Sequence, residues 1–129
     1  MTWRAAVPTV RVHAWLSSQH EAELGYSSGQ GPRALMVCYA LSGDRLVFRL
    51  PEYSCALGYA PDQPVTLTVA VHEQQGAGAG RLVVSGTARL VADHSCADAE
   101  HLLDERWPDG VATHLLALST SESRLVRAG

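Results

Sequence analysis

The chain has 129 residues, 47% hydrophobic and 18% charged, which suits one folded domain over residues 1–129 and excludes an extended disordered protein. Ten basic against thirteen acidic side chains leave a formal charge of −3 with no run of Lys or Arg, so the sequence offers no field for nucleic acid or an anionic membrane. Cys38, Cys55 and Cys96 are scattered and form no C-x-x-C pair, which argues against a disulfide framework or a zinc knuckle and for reduced thiols.

The opening stretch "MTWRAAVPTVRVHAWL" is broken by Arg4, Pro8, Arg11 and His13. It holds no apolar segment of signal-peptide length and no run of about 18 apolar residues for a membrane span, so a cytoplasmic protein is expected. Within it, "VRVHAWLSS" has two readings: its alternation favours a strand, while its place ahead of another strand suits a packing helix. "ELGYSSGQGPR" then reads as a short strand followed by a Gly/Pro turn.

"RALMVCYALSGDRLVFRL" predicts two strands around a Ser42-Gly43-Asp44 turn. In the second, Leu46, Phe48 and Leu50 face one way and Arg45, Val47 and Arg49 the other. The first, from Ala34 to Leu41, is apolar on both faces, as in a central strand or one covered by a partner subunit. A short segment follows at 53–60. The cleanest period-2 signal is "VTLTVAVH", which puts Val65, Leu67, Val69 and Val71 on a buried face and Thr66, Thr68, Ala70 and His72 on the other.

"QQGAGAG" is expected to be a hairpin loop joining that strand to an antiparallel neighbour, "RLVVSGTARLV", read as one continuous strand. Gly86 in its middle marks a bulge, a barrel corner or the close approach of another group. "SCADAEHLLDERW" predicts a helix with Ser95 as N-cap, Asp98 at the capping-box position, Leu102, Leu103 and Trp107 on an apolar stripe, and Pro108 and Gly110 as its end. "THLLALS" and "SRLVRAG" are two last strands across a turn at Ser119 to Ser123. Many short antiparallel strands with one late helix favour a closed or nearly closed barrel.

The succession "GPRALMVCYALSGDRLVFRL", "PVTLTVAV", "GRLVVSGTARLVAD", a helix and "LLALSTSESRLVRAG" resembles the pyridoxamine 5′-phosphate oxidase-like split-barrel family, over about residues 21 to 128. The resemblance implies a mainly β fold: a six-stranded antiparallel split barrel with one or two short helices. It also implies an intertwined homodimer with flavin mononucleotide (FMN) sites built from both subunits. In flavin-binding members the phosphate is held by an Arg at the position of Arg33, by a base at that of Cys38, and by a Ser-Arg-Lys-like triplet where this chain has Ser54, Cys55 and Ala56. Arg33 and Ser54 match, and the other bases are missing.

The resemblance therefore points to a small oxidoreductase that binds FMN or a related deazaflavin, with Arg33, Arg49 and Ser54 as phosphate contacts and Thr66 and Thr68 near the ring or ribitol. Tyr53, Tyr59, Trp15 and Trp107 are candidates to stack on a planar ligand, although core packing also accounts for them. The missing bases support an alternative of another class: a barrel that has lost flavin and serves as a ligand-binding or regulatory module. A haem-binding variant is third. The six histidines (13, 20, 72, 94, 101 and 114) show no metal-ligand spacing, and no hydrolase or dinucleotide fingerprint occurs.

Overall fold

The computed structural model describes residues 2–6, 9–72, 79–91, 96–104 and 112–128. The proposed Gly loop over 73–78, and Ser95, Trp107, Pro108 and Gly110 of the predicted helix, lie outside them. In chain order the elements are β1 (Thr2–Ala6), α1 (Thr9–Ser17), β2 (Glu21–Ser28), β3 (Gly31–Ser42), β4 (Arg45–Pro51), a 3-10 turn (Cys55–Gly58), β5 (Pro64–His72), β6 (Ala79–Thr87), β7 (Arg89–Leu90), α2 (Ala97–Asp104), β8 (Thr113–Ser119) and β9 (Ser123–Ala128).

The strands form one antiparallel sheet in the order β1-β9-β6-β5-β2-β3-β4-β8-β7, curled about its core as a split barrel. The expectation of six strands is corrected: among the described residues there are eight of five residues or more and a two-residue ninth. Two of the strands, β1 and β7, come from local events absent from the sequence reading. Residues 2–6 add to the edge of β9, a pairing too short to leave a period in the sequence. "RLVVSGTARLV" is broken at Ala88, whose N–H and C=O bond to Gln63 and Asp62, so that β7 leaves β5 and pairs with β8.

"VRVHAWLSS" resolves as a helix because its burial follows a helical spacing: Val12 and Leu16 are buried and Trp15 packs beside them. The exposed end of α1 is closed by other elements. The Tyr39 hydroxyl donates to the Leu16 carbonyl at 2.7 Å, and the Ser18 hydroxyl donates to that of Trp15 at 2.7 Å.

The main core takes the inward residues of almost every strand, including Leu24, Val37, Phe48, Leu67, Leu82 and Leu116. A second cluster lies on the other side of β3, β4 and β8, where Ala40, Val47 and Ala117 meet Ala99 and Leu103 of α2. This is why Val47 is apolar although it stands between Arg45 and Arg49 on its face of β4: Leu46 and Phe48 point into the barrel and Val47 lies under the helix. The turn between β3 and β4 puts Gly43 at φ +59, where a side chain would be strained. Next to it, the Ser42 hydroxyl donates to Asp98 at 2.9 Å and ties the start of α2 to the hairpin.

Candidate functional site

β3 and β4 pair only from Tyr39↔Phe48 to Ser42↔Arg45, although both strands continue. Before Tyr39, β3 pairs with β2; after Phe48, β4 stays with β8. The strands part, and a wedge of about 340 Å³ lies between them. Leu35, Met36, Val37 and Cys38 line one side, Arg49, Leu50 and Pro51 the other, with Glu21, Tyr53 and Ser54 completing the lining. Met36 is 59% exposed, an unusual state for a large apolar residue in mid-strand.

Arg49 stands on the face of β4 opposite Phe48 and Leu50, and its side chain is only 8% exposed. Its Nη2 lies 2.6 Å from Oδ1 of Asp104, the last residue of α2, which is 57% exposed. Its Nε is buried and has no acceptor among the described residues. A buried N–H without a partner carries its full desolvation cost.

Ser54 caps the 3-10 turn: its hydroxyl oxygen accepts from the Ala56 N–H at 3.3 Å, and its carbonyl accepts from the Leu57 N–H at 3.1 Å. These backbone donors are therefore used within the protein. The Ser54 hydroxyl proton is still able to donate to a ligand.

Arg33 lies elsewhere. It is exposed near the start of β3, with Nη2 donating to the Gln30 side chain at 3.1 Å. Together with Gly25, Tyr26, Thr66, Ser85 and Gly86 it lines a second cleft of about 370 Å³. Tyr26 stacks on Tyr59 with ring centroids 6.4 Å apart, so one of the expected stacking residues already has an aromatic partner. Gly25 is required opposite Thr66, because a Cβ there would lie 2.6 Å from Thr66 Oγ1.

The five residues singled out from the sequence thus divide: Arg49 and Ser54 at the wedge, Arg33 and Thr66 at the second cleft, and Thr68 lining neither. Register connects them, since the row Ser85–Thr66–Gly25–Ala34 and the row Val83–Thr68–Glu23–Met36 run side by side across one face of β6, β5, β2 and β3. On that face Ala34, Met36, Glu23 and Ala70 are exposed. Sequence reasoning missed Glu21, Met36, Gly25 and Asp104. Asp104 gave no signal, since it is far from Arg49 along the chain and meets it only through the packing of α2. All three cysteines are free, no group of three or more metal-ligating side chains forms among the described residues, and no helix there is long and apolar enough to cross a membrane.

No protein-family model matches the chain, and no curated protein matches its sequence. Its architecture does match solved structures. The FAD-binding protein of Mycobacterium smegmatis is 16% identical, with 94% of each chain covered and a TM-score of 0.76. An FAD-binding protein of Mesorhizobium loti is 17% identical, with 100% of this chain and 99% of that one covered and a TM-score of 0.76. A protein of Corynebacterium glutamicum, provisionally named a pyridoxamine 5′-phosphate oxidase, is 12% identical, covers 98% and 99%, and has a TM-score of 0.67. The chain has the split-barrel fold of the pyridoxamine 5′-phosphate oxidase-like proteins, as its element order led one to expect.

Proposed function

We propose that the protein is a flavin-binding split barrel that works as a cytoplasmic homodimer and serves as a small oxidoreductase. The observation that carries this reading is the wedge between β3 and β4, a preformed, mostly apolar cavity with Arg49 in its wall, in a fold shared with FAD-binding proteins. The residues fit a flavin in kind. Leu35, Met36 and Val37 offer apolar contact for a ring system, Tyr53 is free to stack at 82% exposure, and Arg49 and Ser54 donate hydrogen bonds. Arg33 and Thr66 line the second cleft and Thr68 stands on the open sheet face, so none of the three is part of the wedge site.

A bound flavin supplies the hydride and single-electron chemistry, and the protein's part is to hold and orient it and keep water away. The wedge is open on one side in a single copy. A second copy packed on the exposed face that carries Ala34 and Met36 would close it, which is why the reading includes a dimer. The alternative, a barrel without flavin that binds another small molecule, is favoured by Cys38, Cys55 and Ala56 at positions where the resemblance implies bases, and by Asp104 on Arg49.

The test is a visible spectrum of freshly purified protein, repeated after incubation with flavin and removal of the excess by gel filtration, with the dimer read by sedimentation. Retained yellow colour near one flavin per chain at twice the monomer mass supports the proposal. A colourless protein that leaves flavin fluorescence unquenched at micromolar concentration removes flavin from it, and a Soret band on haem titration would redirect it to haem.

A further inference from the structure

We infer that Asp104 is a specificity determinant of the wedge: it neutralises Arg49, so the ligand group that meets this wall is an uncharged or singly charged acceptor oxygen rather than a phosphate dianion. The inference rests on the proposed flavin site and sets which flavin, and which end of it, the site takes.

The argument is one of charge and donor count. The ionisable groups bordering the wedge among the described residues include one guanidinium, Arg49, and two carboxylates, Glu21 on the lining and Asp104 on the guanidinium. Arg33, the other arginine proposed for phosphate, is bonded to Gln30 in the second cleft. A phosphomonoester carries about −1.5 to −2 charge at neutral pH. Brought against Arg49, it must lie beside the Asp104 carboxylate or displace it, and like charges at such distances disfavour binding even at an effective dielectric near 20. A phosphodiester oxygen, with one charge per phosphorus, or a ribityl hydroxyl meets less repulsion.

The donor count agrees. Nη2 of Arg49 is held by Asp104 and Nε is buried away from the cavity space, so only part of the guanidinium fork is left for a ligand. A dianion binds best where a fork of several charge-assisted donors converges on it. Here the fork is shared with a carboxylate of the protein.

The experiment titrates riboflavin, FMN and FAD, by quenching of flavin fluorescence, into the wild-type protein and into Asp104→Asn. The substitution is at a half-exposed helix end and keeps an amide oxygen for Nη2. In the wild type, riboflavin and FAD should bind at least as tightly as FMN. In Asp104→Asn, FMN should gain about tenfold or more while riboflavin changes less than threefold, a split that a general structural disturbance does not produce. A wild-type preference for FMN over riboflavin that is unaltered by the substitution overturns the inference and leaves the flavin site standing. Failure of all three flavins to bind either protein overturns the flavin reading itself, and the inference with it.

Discussion

β3–β4 and β5–β6 are successive hairpins along the chain, on either side of β2 in the sheet, that the chain uses in opposite ways. β5 and β6 stay in register from Pro64↔Thr87 to His72↔Ala79, with Val65, Leu67, Val69 and Val71 all buried on one side. β3 and β4 start as tightly, at Ser42↔Arg45, and separate beyond Tyr39↔Phe48. The closed pair has only the barrel to satisfy. The other pair has two cores, one inside the barrel and one under α2, and each strand follows a different neighbour once those cores are filled. A cavity in this barrel is thus a consequence of conflicting packing demands on two strands, and Arg49 at its wall is held by a helix that belongs to neither.

The largest effect on this contrast is expected at the point of divergence. Phe48→Ala removes a fully buried ring from the last pair that β3 and β4 share and should cost about 3–5 kcal/mol, read as a fall in the denaturant midpoint. Next is Gly25→Ala, which places a Cβ 2.6 Å from Thr66 Oγ1 on a β-branched side chain with little rotamer freedom. It should destabilise by about 1–3 kcal/mol, and adding Thr66→Ala should recover most of that loss if the clash is the cause.

At the wedge the two members of one ion pair should behave differently. Asp104→Ala leaves a buried guanidinium short of an acceptor and is expected to cost about 1–3 kcal/mol. Arg49→Met replaces that cation with an apolar chain of similar length and should lie within about 1 kcal/mol of zero, because an unpaired carboxylate on the exposed Asp104 remains solvated. Equal costs would mean that the pair, and not the burial of Arg49, sets the energy.

The smallest effect concerns the closed end of the β3–β4 hairpin. The hydrogen bond from the Ser42 hydroxyl is the main reason the Asp98 carboxyl lies below its ordinary value of 3.8, with the Ala99 N–H adding to it. A lowered native value means that this contribution is complete above pH 3.8 and is lost as pH falls through the native value. Ser42→Ala should therefore be slightly less stable than wild type near pH 7, and the difference should vanish in acid. A difference that persists in strong acid would place its origin in packing.

How far the sequence could be read depended on how many cores a segment serves. "VTLTVAVH" has one, and its alternation matches the buried face residue by residue. "VRVHAWLSS" alternates too, yet Val12 and Leu16 satisfy a helical stripe equally well, and only the barrel end beneath them decides. Gly86 was legible as a bulge, a corner or a close approach, and the structure shows the last, since a Cβ there would lie 2.9 Å from Leu118 Cδ1. Of the candidate site implied by the resemblance, Arg49 and Ser54 line one cavity, whereas Arg33 and Thr66 share another.

By itself the sequence determined a mainly β chain with a helix within "SCADAEHLLDERW" and the absence of a basic footprint, because period and composition are local properties, while the succession of its elements carried the resemblance to the split barrel. Tertiary structure alone decided that β1 and β7 exist, that β3 and β4 part after Phe48, and that Asp104 sits on Arg49. Those features depend on which surfaces meet when the sheet curls, and residues 55 positions apart along the chain carry no local pattern that announces their contact.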